Sequence, residues 1–211
     1  MDWAWVGENL GQIRGYALQH LFLTAVPVAA GFALAFPMSL AAIRWRRLYG
    51  PLLGLTGMLF TIPSIALFVL LIPVTGLGPL TAIVPLTIYT LLILIRNTVE
   101  GLDGVDPDVR EAAEAMGYTR GRQLFGVELP LALPVIVAGL RIATVTTVGL
   151  VTITALIGAG GLGRLIVDGF TLFFPTSVVV GVVLSVAFAV AADLVLLAGQ
   201  KALTPWRAGR A

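Results

Sequence analysis

The residues best suited to chemistry are few in this sequence, and most catalytic and metal-binding functions lack the side chains they need. The chain has one histidine and no cysteine, which excludes a disulfide, a thiolate ligand and a two-imidazole metal site. Gly158, Gly160 and Gly163 match the G-x-G-x-x-G spacing of dinucleotide-binding turns. The apolar run before them is too long for a strand, however, and no acidic residue follows about twenty residues later. We reject a nucleotide site here and keep a plain flexible loop as one alternative.

Two opposite charges interrupt the apolar runs. Arg141 and Asp193 are the only charged residues well inside them, and they lie at comparable depth. Charges inside a membrane are costly and are usually paired or functional. We predict that the two form a structural ion pair, either within one chain or across a dimer.

The composition explains why such charges are rare. Of 211 residues, 58% are hydrophobic and 11% are charged, and the mean hydropathy is +1.00. Soluble domains are about half apolar and a quarter charged, so this chain belongs in a lipid bilayer. Its arginines flank the apolar runs and form no basic face, which argues against a nucleic acid partner.

Five apolar runs are long enough to cross a bilayer as helices. They cover about residues 20–43, 51–74, 79–95, 133–157 and 175–199. We predict an all-α integral membrane protein with five transmembrane helices, the N-terminus outside and the C-terminus inside. Residues 1–19 would be an extracytoplasmic tail, residues 20–205 the transmembrane domain, and residues 206–211 a cytoplasmic tail.

The basic residues support this orientation, because lysine and arginine favour the cytoplasmic side. The residues placed inside are Arg44, Arg46, Arg47, Arg96, Arg110, Arg120, Arg122, Lys201, Arg207 and Arg210, and those placed outside are Arg14 and Arg164. The loop from residue 96 to residue 130 is the longest polar stretch and is predicted to be cytoplasmic.

A short helix is predicted inside this loop, from about Pro107 to Met116. Asp106 is suited to cap its start, and Gly117 is suited to end it. One face would carry small or apolar side chains, those of Val109, Ala112, Ala113 and Met116. Helices that lie on lipid usually carry large apolar residues and basic polar faces, whereas this one carries alanines and acids. The pattern favours docking on a protein.

The second apolar run contains a break at Thr61, Pro63 and Ser64. Proline removes a backbone donor and frees a carbonyl that a hydroxyl or water must satisfy. Such a break either lines a solute path or is a structural kink, and the residues alone favour the two readings equally.

The loop resembles a known family. Glu111, Ala112, Ala113 and Gly117, followed by Val127, Leu129 and Pro130, are similar to the EAA loop of ABC-importer permeases. Further segments resemble the betaine, choline and carnitine permease subfamily, and these are residues 61–66, Tyr89, residues 96–98, residues 158–163 and residues 203–205. The resemblance covers roughly residues 15 to 205.

The resemblance implies the type I importer permease fold in a bacterial inner membrane. The coupling residues would be Glu111, Ala112, Ala113, Gly117, Leu129 and Pro130, and the candidate path residues would be Thr61, Pro63, Ser64 and Tyr89. It also implies that Gly158, Gly160, Gly161 and Gly163 form a tight outer turn against a partner protomer.

The partners implied are a second permease protomer, identical or not, a dimer of ATPase subunits and an extracytoplasmic binding protein. ATP and Mg would be bound by the ATPase, because this chain has no phosphate-binding G-x-x-x-x-G-K-[ST] loop. We expect no cofactor and no catalytic residue in the chain itself. An importer for another small solute such as methionine is one alternative, and an ion-coupled secondary carrier is another.

Overall fold

The regular structure in the described part of the chain, residues 1–207 of a computed structural model, is entirely helical. The α-helices are α1 (Trp3–Glu8), α2 (Leu10–Arg44), α3 (Tyr49–Thr61), α4 (Ser64–Thr75), α5 (Pro79–Asp103), α6 (Pro107–Ala115), α7 (Arg120–Gln123), α8 (Leu129–Thr154), α9 (Gly163–Thr171) and α10 (Pro175–Leu203). A π-helical turn, Leu124–Glu128, joins α7 to α8, and single 3₁₀ turns lie at Arg46–Leu48, Ala155–Ile157 and Pro205–Arg207.

Within residues 1–207, four helical segments are long and apolar enough to span a membrane, which agrees with the prediction of an all-helical membrane protein. They are α2, α5, the continuous segment from Arg120 to Ile157, and α10. The second predicted span is not one straight helix. It divides into α3 and α4, which meet at an angle of 94°.

The interruption between α3 and α4 has a local cause. Ile62 and Pro63 both adopt extended backbone conformations, with ψ angles of 129° and 131°. Proline disfavours the helical conformation for the residue before it and cannot donate to the preceding turn. The α-helical hydrogen-bond pattern therefore stops at Thr61 and starts again at Ser64.

The helices α2 and α5 extend well beyond their predicted spans. The helix α2 begins at Leu10, within the predicted tail of residues 1–19, and α5 continues past residue 95 to Asp103. Both predicted ends were placed where polar residues appear, but a helix continues until its backbone is capped or broken. For the C-terminal tail predicted at residues 206–211, residues 208–211 lie outside the described part of the chain.

The helices α2, α5 and α8 form the centre of the bundle, where small residues allow close contact. A Cβ atom added to Gly31 of α2 would lie 1.8 Å from Thr90 Oγ1 of α5. One added to Gly139 of α8 would lie 2.4 Å from the Cβ atom of Asn97 in α5. We call the end where α5 stops and α8 begins the loop end, and the end where α8 stops the turn end.

Candidate functional site

At the loop end, α6 forms where capping residues were predicted. Asp106 caps its start by accepting a hydrogen bond from the Asp108 amide at 3.0 Å. Gly117 follows the helix with a φ angle of +80°. The Gly117 amide donates to the Glu114 carbonyl at 2.9 Å and the Tyr118 amide to the Ala113 carbonyl at 3.1 Å. This pair of bonds is the Schellman ending that a left-handed glycine permits.

The helix α6 presents different residues to its two sides. Val109, Ala112 and Met116 are exposed, with 69% of Met116 accessible, and Glu111 is exposed as well. Ala113 is 1% exposed and so lies on the inner side, together with half-buried Arg110. Of the four residues predicted to share one face, three are therefore exposed, and Ala113 is buried within the chain.

Polar contacts connect the inner side of α6 to the neighbouring helices. Arg110 Nη2 donates to the Leu102 carbonyl at 2.6 Å. Arg110 Nε lies 3.9 Å from Glu128 Oε2, and Gln123 Nε2 donates to Glu128 Oε1 at 3.0 Å. These groups border a cavity of about 480 Å³. At its rim, Arg46 forms two hydrogen bonds with Asp103, at 2.6 and 2.5 Å.

Leu129 and Pro130 follow directly on the π-helical turn, Leu124–Glu128. Pro130 has no amide hydrogen for the carbonyl of Gly126 four residues earlier, and its ring crowds that carbonyl. A wider turn, in which donors reach five residues back, relieves this conflict. The leucine-proline pair predicted as part of the coupling motif thus coincides with a change of helix type.

The predicted path residues lie around the break between α3 and α4. Tyr89 of α5 is 4% exposed, and its hydroxyl donates to the Ile62 carbonyl at 2.6 Å. Thr61 instead donates to Met58 in its own helix at 2.7 Å. The structure therefore brings Tyr89 to the break, where its hydroxyl is a partner for the Ile62 carbonyl. Pro63 is exposed beside it, and Ser64 is half-buried.

Arg141 and Asp193 meet within one chain. Arg141 Nε and Nη2 donate to the two carboxylate oxygens of Asp193, both at 2.7 Å. The side chains remain 27% and 30% exposed and border an open cavity of about 410 Å³. This two-point contact joins α8 to α10.

The glycine-rich segment forms a tight turn at the turn end. Gly158, Gly160 and Gly161 have φ angles of +77°, +92° and +81°. The Gly161 amide donates to Gln19 Oε1 and the Leu162 amide to His20 Nδ1, each at 3.2 Å. The turn is thereby fastened to α2 of the same chain.

His20 is the chain's single histidine, to which the sequence assigns no role, and it is fully buried in this contact. Its partner is a backbone amide 142 residues away, so no local pattern reveals the bond. The only signal was a lone polar residue beside an apolar run. Within residues 1–207, no cluster of three or more histidine, aspartate or glutamate side chains could hold a metal ion.

Comparisons with known proteins agree on one group. A family model described as the binding-protein-dependent transport system inner membrane component matches residues 25–207. The chain is 38% identical over 203 residues to the osmoprotectant import permease protein OsmW of Salmonella typhimurium, covering 94% of each. It is 34% identical over 197 residues to the glycine betaine/carnitine/choline transport system permease protein OpuCB of Bacillus subtilis, covering 93% of this chain and 91% of that protein.

A solved structure is similar over nearly the whole chain. An inward-facing form of the MetNI methionine ABC transporter contains a chain that matches with a TM-score of 0.82 and 26% identity. The match covers 97% of this chain and all of the other.

Proposed function

This chain belongs to the family of binding-protein-dependent transport system inner membrane components, and we propose that it forms the path of an ATP-driven importer for glycine betaine or a related quaternary-amine osmoprotectant. The observation that carries the substrate class is the likeness to OsmW and OpuCB over more than nine tenths of the chain. Helix α6, with an exposed face at one end of the bundle, supports the assignment of an energy-coupling role.

We propose a topology of five spans, in which α3 and α4 together make one broken crossing. The N-terminus is outside and the C-terminus inside, which places the loop end in the cytoplasm of a bacterial cell. The arginines near the loop end, including Arg44, Arg46 and Arg47, support this orientation.

The exposed face of α6 is the proposed contact with a cytoplasmic ATPase. Val109, Ala112 and Met116 are exposed there, and an apolar face of small area suits a groove better than lipid. Two permease protomers, two ATPase subunits and an external binding protein would make the importer. ATP and Mg act in the ATPase, and α6 passes its movement to the spans.

The proposed path runs beside the break between α3 and α4. Tyr89 provides one aromatic ring there, stacked edge-on with Phe60 at 5.7 Å between ring centroids. A quaternary ammonium is usually held by several aromatic rings. We propose that the binding protein selects the solute and that the permease is only mildly selective, with the Arg141–Asp193 pair serving structure.

Reconstitution tests the substrate class directly. The permease is placed in liposomes with its cognate ATPase and binding protein, and uptake of labelled glycine betaine is compared with uptake of methionine. We expect ATP-dependent, saturable betaine uptake that is lost without the binding protein. Uptake of methionine in preference to betaine would contradict the proposal, and uptake driven by an ion gradient without ATP would assign a different class of transporter.

Calorimetry on the purified permease tests where selection occurs. We expect no saturable binding of betaine in the micromolar range without the binding protein. A micromolar betaine site in the isolated permease would place specificity in this chain instead.

A further inference from the structure

Arg110 occupies a position between three helices at the loop end. It extends from the inner side of α6 and is half-buried, whereas Val109 and Met116 are exposed. Its guanidinium reaches the last turn of α5, at the Leu102 carbonyl, and approaches Glu128, the last residue before α8. One side chain thus contacts or faces the ends of both long helices that flank the loop.

The bond to α5 is anchored in the core. The last carbonyls of a helix carry partial negative charge and lack full intrahelical partners, so a cation there is favourable. Leu102 itself is 1% exposed and packs in a buried cluster with Val105, Ala132 and Ile136. A charge-assisted bond of 2.6 Å to this carbonyl therefore joins α6 to a buried, well-packed part of the bundle. That part cannot move without moving its packing neighbours.

The approach to Glu128 is incomplete. Arg110 Nε is buried and has no hydrogen-bond partner within the described residues. Its distance of 3.9 Å to Glu128 Oε2 is longer than a hydrogen bond. Glu128 is meanwhile held from its other oxygen by Gln123. A buried donor without a partner is unfavourable, so a shift of about 1 Å that brings Nε and Glu128 together gains a charge-assisted bond.

We propose that Arg110 is the positioning residue that transmits movement of α6 to α5 and α8 together. The Arg110–Glu128 contact closes in one state of the transport cycle and opens in another, while the bond to Leu102 persists. This inference rests on the proposed function, in which α6 docks on the ATPase. It goes further by assigning the connection inside the chain to one side chain, which no motif in the loop indicated.

The test measures coupling separately from assembly. Variants Arg110→Ala and Glu128→Gln are purified as complexes with the cognate ATPase, and betaine uptake per ATP hydrolysed is measured in liposomes with the binding protein. Arg120→Ala is the matched control, because Arg120 is exposed on the same loop. Copurification of the ATPase and the melting temperature of the isolated permease report assembly and folding.

We expect the ATPase to copurify with each variant, while uptake per ATP falls about tenfold or more for Arg110→Ala and about threefold for Glu128→Gln. The control should keep the wild-type ratio. An assembled Arg110→Ala complex within twofold of the wild-type ratio would overturn the inference, as would an equal loss in the control. If Arg110→Ala fails to assemble, Glu128→Gln decides, and an unchanged ratio in that variant refutes the role.

A failure of the proposed function would look different. In that case the unmodified permease would not copurify with the ATPase or would show no ATP-dependent uptake, before any variant is compared.

Discussion

Two of the turns that contain left-handed glycines, the one after α6 and the one at residues 158–163, have opposite surroundings. A Cβ atom added to Gly117, after α6, would meet no atom within 4 Å. A Cβ atom added to Gly160 would lie 2.3 Å from Gln19 Oε1, and one added to Gly163 would lie 2.0 Å from the Thr152 carbonyl oxygen. The glycine-rich turn at residues 158–163 packs against other parts of the same chain. The turn at Gly117 is open, with space for another molecule beside it. A glycine-containing motif therefore indicates a backbone shape and does not by itself indicate what that shape contacts.

The largest effect is expected from Gly163→Ala. The added methyl group would clash with backbone atoms of Thr152, at 2.0 to 2.7 Å, which cannot rotate away as a side chain can. We expect the free energy of unfolding of the isolated permease to fall by about 4 kcal/mol or more. Denaturant titration of the purified protein measures it. Gly149→Ala is the control, since nothing lies within 4 Å of a Cβ atom there, and similar losses in both variants would contradict the contrast between crowded and open glycines.

His20→Ala should cost less, about 2–4 kcal/mol, because it removes a buried ring and leaves the Leu162 amide without its acceptor. Gln19→Ala is the matched variant, since Gln19 accepts from the adjacent Gly161 amide but is exposed to solvent. Its loss should stay within about 1 kcal/mol because water can replace the bond. The same titration compares the two, and equal losses would show that burial at His20 is not the deciding factor.

Gly117→Val should impair transport more than it lowers the stability of the permease. A φ angle of +80° is strained for a β-branched residue, at about 1–2 kcal/mol, so the isolated permease should still fold. Uptake per ATP, or assembly with the ATPase, should be lost because the end of α6 changes direction. Gly121→Val, in the same loop and with open space around it, serves as the control. Normal uptake with normal ATPase stimulation in Gly117→Val would refute a coupling role for this turn.

Met116→Ala should have the smallest effect on the permease alone, within about 0.5 kcal/mol. Because Met116 lies on the proposed docking face, the affinity of the variant permease for the ATPase should fall about tenfold. A tenfold change in Kd corresponds to about 1.4 kcal/mol. Met58→Ala is the control, because Met58 is also 69% exposed but lies on α3. Unchanged ATPase binding in Met116→Ala would remove this residue from the proposed docking face.

Most features that could be predicted from the sequence have local causes, and the pairing of two charges in an apolar environment is an exception. Asp106, Pro107 and Gly117 set the ends of α6 within the same few residues, and the helix lies within one residue of its predicted range. The meeting of Arg141 and Asp193 followed from the cost of charge in an apolar environment, and the structure pairs them. Burial of each side of α6 depended on the rest of the fold, so Ala113 was placed on the wrong side.

Features with distant causes could not be predicted. Thr61, Pro63 and Ser64 indicated a break, but the 94° angle depends on how α3 and α4 pack against α5, where Tyr89 satisfies the Ile62 carbonyl. Nothing near Arg110 in the sequence indicated Leu102 as its partner, because the contact needs the helix α5 to extend to Asp103. At α5 the helix end and the partner of Arg110 were therefore missed together.

The π-helical turn before Pro130 has a consequence for the length of the loop. A turn that reaches five residues back holds one residue more than a regular α-helical turn. Deleting a single residue between Leu124 and Glu128 would therefore leave a regular turn, in which the Pro130 ring again crowds the carbonyl four residues before it. The helix would have to kink or end before Pro130, and α6 would be displaced without any change in its own residues. The loop should consequently accept substitutions on its exposed side more readily than a deletion within the π-helical turn.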